Sequence, residues 1–313
     1  MTDLRGWGLL FPGQGAQAPG MGRAWAQAFP ETRGVLAAAD RLLGRELSKV
    51  CFEGPAEVLD RTDVAQPALF AVAAAVLAAL RARFGVEPSA PGAALGLSLG
   101  EYTALHAAGS LSFEEGLRLV SKRGESMQRA SEARPSGMAS VLGLPEAAVE
   151  EACREASRSG VCAIANRNAP GQVVIGGENA ALDAAEGLLR SRGARRVVRL
   201  RVAGAFHTEC MRPAAEALAA ELARVEILPP RVPFYSNVTG GRVGEPSEIR
   251  SLLAAQVCSP VLWESCQRSA LRAGVRRYLE LPPGNVLRGL LRKIDPQSEA
   301  SGAEEPGEWE AAG

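Results

Sequence analysis

Five residues, Gly96-Leu97-Ser98-Leu99-Gly100, narrow what this chain can fold into more than any other stretch. They match G-x-S-x-G; the short apolar run 93–97 leads into Ser98 and Gly100, and a helical pattern then continues through Ala108. Strand, sharp turn and helix in that order push a serine hydroxyl out at the tip of the turn, and the glycines relieve crowding there. The helix start beneath it leaves backbone N–H groups free to meet an oxyanion. Ser98 is therefore the candidate nucleophile.

The flanking pattern gives this turn a setting. Residues 7–11 read as a short buried strand stopped by Pro12-Gly13, 67–84 as a long apolar helix, and 113–129 as a helix with Ser112 as N-cap. Short apolar runs alternating with helices predict an α/β layer fold with a parallel sheet. The middle of the chain differs. Residues 138–144 read as a strand and 145–157 as a helix with Pro145 at its first position. Strands at 161–166 and 172–176 are joined by the turn 168–171; a helix at 179–192 is ended by Gly193, and a strand covers 197–202. Strand–helix–strand–strand–helix–strand is the ferredoxin-like order. The expectation is a hydrolase-like parallel-sheet large domain built from residues 1–136 and 204–294, with an inserted ferredoxin-like small domain over 137–203. Helices at 213–225 and 247–257 and strands at 232–236 and 278–281 complete the large domain. The tail 295–313 is polar, with a lone Trp309, and is expected to be disordered.

Composition removes several classes of function. Basic and acidic residues number 35 each, so no overall field exists to gather nucleic acid. Six cysteines form no CxxC pair, which predicts reduced thiols in a cytoplasmic protein. With two histidines and no metal-ligand spacing, no metal is expected. The charge-free stretch 68–80 is about 13 residues long, where a membrane span needs about 20, so it predicts a buried helix and no membrane partner. The start, MTDLRGWGLLFPGQG, carries no signal-peptide pattern.

A serine nucleophile needs a base. His106 lies eight residues along the helix that Ser98 opens, roughly 12 Å of axial rise away, and cannot reach the hydroxyl. That leaves His207, in Gly204-Ala205-Phe206-His207-Thr208, and the order Ser then His fits a hydrolase-like chain. Arg123 falls on an apolar helical stripe with Leu119, Val120 and Met127. An arginine there needs an anion: either a substrate carboxylate held by two parallel hydrogen bonds or an internal acidic partner. Gly13-Gln14-Gly15 lacks the lysine and hydroxyl of a P-loop, and the Gln14 backbone reads better as a second oxyanion donor.

These residues resemble the malonyl-CoA:acyl carrier protein transacylases and the related acyltransferase domains of polyketide synthases. The resemblance covers nearly all of residues 8–292. It rests on Phe11-Pro-Gly-Gln-Gly-Ala-Gln17, Gln66-Pro67-Ala68, Gly96-Leu-Ser-Leu-Gly-Glu-Tyr102, Arg123-Gly124 and Asn168-Ala-Pro-Gly-Gln172. Ala205-Phe-His207, Gln256, Pro260-Val-Leu-Trp263 and Glu280-Leu-Pro-Pro-Gly284 follow in order. It implies Ser98 as nucleophile, His207 as base, the N–H groups of Leu99 and Gln14 as oxyanion hole, and Arg123 as grip for the malonyl carboxylate. It also implies that Gln256 orients His207 through its backbone carbonyl, where a hydrolase would use an acid. Leu97 stands where many members have histidine. Phe206 resembles the malonyl-selecting form of the polyketide branch, because a bulky ring leaves little room for a methyl group.

The implied reaction is ping-pong transfer of malonyl from coenzyme A, through a Ser98 ester, to the phosphopantetheine thiol of an acyl carrier protein. The thioester is substrate, no cofactor is called for, and a monomer is expected. Arg190, Arg192, Arg195, Arg196, Arg199 and Arg201 form either a basic rim for an acidic carrier or an ordinary solvated surface. Two rival readings share the same residues: a serine thioesterase, which calls for an acidic third member and no buried arginine, and a non-enzymatic carrier-docking module.

Overall fold

Two sheets organise the chain, described by the computed structural model for residues 4–87 and 89–311, with side chains described through residue 309. The first strand, β1 (Gly8–Phe11), is buried along its whole length, as a strand covered on both faces must be. Helices α1 (Arg23–Ala28), α2 (Pro30–Leu43), α3 (Leu47–Glu53), α4 (Ala56–Leu59) and α5 (Thr62–Phe84) follow. β2 (Ala93–Gly96) then pairs parallel with β1, Gly8 beside Ala93 and Phe11 beside Gly96. α6 (Gly100–Ala107) and α7 (Phe113–Ala133) come next, the latter capped by the Ser112 hydroxyl, which accepts the N–H of Glu115 at 3.1 Å.

The second sheet is antiparallel. Its elements are β3 (Ser136–Leu142), α8 (Glu146–Ala156), β4 (Cys162–Ala169), β5 (Gln172–Glu178), α9 (Asn179–Ser191) and β6 (Arg196–Arg199), in the strand order β4-β5-β3-β6. This is the ferredoxin-like succession, with its own apolar cluster around Val149, Ile175 and Leu189. The chain then returns through α10 (Arg212–Leu222), β7 (Phe234–Tyr235), β8 (Arg242–Val243), α11 (Pro246–Gln256) and α12 (Trp263–Arg272). β9 (Arg277–Glu280), α13 (Val286–Ile294), β10 (Glu299–Gly302) and α14 (Pro306–Ala311) end it. The large sheet has the order β10-β9-β1-β2-β7-β8, all parallel except β8. The fold is thus α/β, a parallel-sheet unit with a ferredoxin-like unit inserted between α7 and α10.

Three differences from the sequence reading have physical causes. Helix α5 begins at Thr62, five residues before the expected start, with Pro67 inside it. Proline at 67 cannot donate to the carbonyl of Asp63; the Arg45 guanidinium fills that place at 2.8 Å. At 23 residues, α5 is long and apolar enough to cross a bilayer, but its most apolar window is 89% buried within the protein. It is a core helix. Secondly, β4 runs to Ala169, so the turn is only Pro170-Gly171, with Gly171 at φ 67°. Register shifts at Ile164/Asn166 and Arg167/Ala169 lengthen the strand. Thirdly, the expectation of a disordered tail from 295 is wrong over the described residues. β10 extends the large sheet beside β9, and Trp309 is fully buried, its ring 5.6 Å from that of Phe84. Pairing with a sheet edge ordered a segment whose composition carries no periodic signal. Residues 312–313 of that expectation lie outside the described residues.

Candidate active site

The carboxyl ends of β1 and β2 lie side by side, and each strand hands its next residues to one crevice, as parallel sheets do. After β2 the chain turns so sharply that a Cβ at Gly96 would sit 1.9 Å from the Gly100 carbonyl carbon, and a Cβ at Gly100 2.1 Å from the Phe11 oxygen. Only glycine fits either place. Between them Ser98 is held at φ 53°, a left-handed conformation that costs an L-residue about 1–2 kcal/mol. Asn237, just after β7, helps hold it: its Oδ1 accepts the Ser98 N–H at 2.6 Å, and its Nδ2 donates to the Gly96 carbonyl at 2.8 Å.

His207 arrives from the loop beyond β6, also left-handed at φ 61°. The Ser98 hydroxyl donates to its Nε2 at 2.7 Å. Its Nδ1 lies 2.8 Å from the Gln256 carbonyl, at the end of α11. A carbonyl only accepts, so Nδ1 carries the proton and Nε2 is left free to act as base. Burial, and next the nearby Arg123 charge, push the His207 pKa down to about 4. The ring is neutral at pH 7, ready to take a proton.

Arg123, on α7, is 1% exposed. Its Nη1 donates to Gln66 Oε1 at 2.7 Å, and its Nη2 to Gln256 Oε1 at 2.9 Å and to the Ser98 hydroxyl at 3.1 Å. Its Nε is buried without a partner, and the guanidinium lies 5.7 Å from the Tyr102 ring centroid. Every bonded partner is a neutral oxygen, and no carboxylate forms an ion pair with it among the described residues. Burial lowers its pKa, yet a guanidinium stays charged at neutral pH. The site thus holds a desolvated cation that no carboxylate touches; the charge of Glu101 reaches it only through space and through Gln256. Of the two partners open to Arg123 from sequence, the internal ion pair is not made.

A cavity of about 190 Å³ joins these groups, lined by Gln14, Ser98, Arg123, Met127, Phe206 and His207 among others. It shares Gln14, Leu97, Leu200, Val202 and Val286 with a wider cleft of about 400 Å³ that is bordered also by residues 12–17 and Arg201. Phe206 is buried against the cavity, beside Met127, Met138 and Val174. The backbone N–H groups of Gln14 and Leu99 donate to nothing among the described residues. His106 lies elsewhere, packed against the rings of Phe70 and Phe113, with Nδ1 3.1 Å from the Leu111 carbonyl. Every sequence-predicted site residue comes to this one cavity or supports it.

Three supporting residues escaped the sequence reading. Gln66 and Glu101 stood inside quoted motifs without a role, and Asn237 sat in a turn with no signal of its own. Glu101 is buried beneath Ser98, accepting from the Asn237 backbone N–H and from Gln256 Nε2. No group of three or more His, Cys, Asp or Glu side chains that could hold a metal ion occurs among the described residues.

The cavity thus brings together a serine hydroxyl bonded to a neutral histidine and a buried guanidinium, with two backbone N–H groups nearby in sequence that have no acceptor among the described residues. A family model for the acyl transferase domain matches residues 9–307. The malonyl CoA-acyl carrier protein transacylase of Bacillus subtilis is 39% identical over 288 residues, 92% of this chain and 90% of that protein. The polyketide biosynthesis protein ThaF of Burkholderia thailandensis is 44% identical over 296 residues, 94% of this chain; the chain spans 25% of its length. A solved complex of a type II PKS acyl-carrier protein with its malonyl-transacylase matches with TM-score 0.94 and 35% identity, over 98% of both chains.

Proposed function

The chain belongs to the acyl transferase family, and from that premise we propose how its residues carry the reaction. It is a malonyl-CoA:acyl carrier protein transacylase, moving malonyl from coenzyme A to a carrier-protein thiol for fatty acid or polyketide synthesis. Ser98 Oγ attacks the thioester carbonyl while its proton passes to His207 Nε2. The oxyanion that forms faces the N–H groups of Leu99 and Gln14. The C–S bond breaks, the sulfur takes the proton from His207, and coenzyme A leaves. The carrier's phosphopantetheine thiol then gives its proton to His207 and attacks the Ser98 ester; Ser98 Oγ recovers the proton as its C–O bond breaks. Gln256 keeps His207 in the working tautomer through its carbonyl. Arg123 grips the distal malonyl carboxylate by two parallel hydrogen bonds, and that carboxylate is the contacting anion its buried charge lacks. Phe206 crowds the α-carbon and favours malonyl over methylmalonyl.

The observation that carries this reading is the meeting of Ser98, His207 and an Arg123 that no carboxylate touches in one cavity. It also weighs against a thioesterase, since a carbonyl, not a carboxylate, backs His207. The mechanism draws its nucleophile, base and electrostatic aid from side chains and backbone, so it calls for no cofactor beyond the thioester itself. All of these groups come from one chain, so a monomer suffices. Six free cysteines suit a reducing cytoplasm. We divide the chain into 1–136 with 204–294 and an inserted 137–203, because the inserted sheet packs its own core. Of the arginines between 190 and 201, Arg190, Arg192 and Arg199 are tied to Glu186, Glu155 and Asp183, which leaves Arg195, Arg196 and Arg201 exposed to meet an acidic carrier.

Intact-mass spectrometry after mixing with malonyl-CoA tests the reading. A persistent malonyl adduct on Ser98, absent from Ser98→Ala and discharged by holo carrier protein, is expected. Free malonate with no adduct would point to the thioesterase.

A further inference from the structure

One buried carboxylate takes no part in the steps above. Glu101, the second residue of α6, is 1% exposed, and its two oxygens reach the two sides of the site. Oε1 accepts the backbone N–H of Asn237, whose side chain fixes the Ser98 N–H and the Gly96 carbonyl. Oε2 accepts Nε2–H of Gln256. That same glutamine offers its carbonyl to His207 Nδ1 and its Oε1 to Arg123, and Nε2 donates also to the Ser98 carbonyl at 2.9 Å. Nucleophile, base and guanidinium therefore each hang on a residue that Glu101 holds.

We infer that Glu101 is a positioning residue for Ser98 and His207, its ionised carboxylate locking hydroxyl and imidazole in register through Asn237 and Gln256. It does from one residue further back what an acid at His207 Nδ1 does in a hydrolase triad. The inference rests on the roles proposed for Ser98 and His207 but not on the identity of the acyl group.

Ionisation is essential because only a carboxylate accepts at both oxygens. A protonated carboxyl, or the amide of Glu101→Gln, turns one acceptor into a donor facing another donor. Burial raises the Glu101 pKa to about 7, against the lowering effect of its N–H partners and Arg123. The groups around it are Arg123 from α7, Gln256 from α11, Cys266 from α12, Ser236 and Asn237 beyond β7, and Tyr102 on its own helix. Burial pushes Tyr102 and Cys266 up, so both stay neutral, while Arg123 keeps its charge. Of His207, near 4, and Glu101, near 7, it is Glu101 that titrates at this site between pH 5 and 8.

Labelling of Ser98 by a fluorophosphonate reads this out without any acyl-CoA. The Oγ–P bond forms, fluoride leaves and the proton passes to His207. Wild type, Glu101→Gln, Gln256→Ala and the double variant are compared from pH 5 to 8.5, with Ser98→Ala as blank and thermal melts confirming the folded fraction. The wild-type rate should rise about tenfold between pH 6 and 8. Glu101→Gln should be about 10–100-fold slower at pH 8, the range expected for one buried charged hydrogen bond, and flat over that interval. Its cost should be smaller in the Gln256→Ala background. A flat wild-type profile overturns the inference even if Glu101→Gln does not fold. So does a folded Glu101→Gln that labels within about twofold of wild type, keeps the rise, or multiplies fully with Gln256→Ala. Failure of malonyl-CoA to acylate a wild type that labels as described would instead remove the proposed substrate and leave this inference standing.

Discussion

Replacing Arg123 by alanine separates the two things that residue does. In the free protein the guanidinium is 1% exposed and bonded to neutral oxygens of Gln66, Gln256 and Ser98. A malonyl carboxylate entering the cavity of about 190 Å³ finds there a cation already stripped of water. Without Arg123 the carboxylate would be buried alone. Removing one partner of a buried pair costs about 3–5 kcal/mol, so kcat/KM for malonyl-CoA should fall about 150–5,000-fold. Acetyl-CoA brings no carboxylate. Its transfer loses only what the hydrogen bond from Arg123 to Ser98 contributes, about tenfold. The malonyl-to-acetyl ratio should therefore fall about 15–500-fold, read as rates of acyl-Ser98 formation in single-turnover quench experiments with each thioester. Equal losses for the two substrates, with the variant folded, would mean that Arg123 supports the nucleophile and does not grip the acid.

Three further outcomes follow from the same geometry. His207 has its folded pKa depressed from 6.5 to about 4, so its contribution to stability is present above 6.5 and lost as pH falls toward 4. Between pH 7 and 5, urea melts of wild type should lose about 2 kcal/mol more than those of His207→Gln; equal losses would mean an exposed or charged ring. Phe206→Ser should raise methylmalonyl relative to malonyl transfer about tenfold in competition, the scale of one methyl in an apolar pocket, and an unchanged ratio would clear Phe206 of any part in selection. Trp309→Ala should cost about 3–5 kcal/mol in the same melts, and a change below about 0.5 kcal/mol would mean the tail does not pack in solution.

How much of this was legible beforehand depends on whether the signal was local. The elbow was, because two glycines around a serine answer a steric demand set within five residues: Gly96 and Gly100 have no room for a Cβ. The inserted unit was legible from its order of periods and turns. Asn237 was not, because nothing in Ser236-Asn237-Val238 announces that its amide will meet Ser98 from 139 residues away. The four helices between Arg23 and Leu59 and the last strand were missed for a related reason. Three of those helices have 4–7 residues, too few to show a period, although α2 at 14 residues carried one; β10 is held by pairing with Tyr278 and Leu279 and not by its own composition. Arg123 lay between: its stripe showed that it would be buried, but whether an internal acid met it was a question of distance that only coordinates answer.

The weakness of His207 as a base bears on why such a site transfers an acyl group and does not hydrolyse it. A carboxylate at Nδ1 would stabilise the imidazolium; here a carbonyl takes that place, and burial and Arg123 disfavour the charge further. In the first half-reaction a poor base suffices, because the electrophile is a thioester and the hydroxyl is already placed at 2.7 Å. In the second, the electrophile is a less reactive oxygen ester, and the demand on the base depends on the attacker. A thiol, with a pKa of about 8.5, needs little help to become a nucleophile, whereas water, at about 15.7, needs a great deal. Holding the histidine near 4 therefore penalises water more than the carrier's thiol. Restoring an acid behind His207 should shorten the life of the malonyl ester in buffer more than it speeds discharge to carrier.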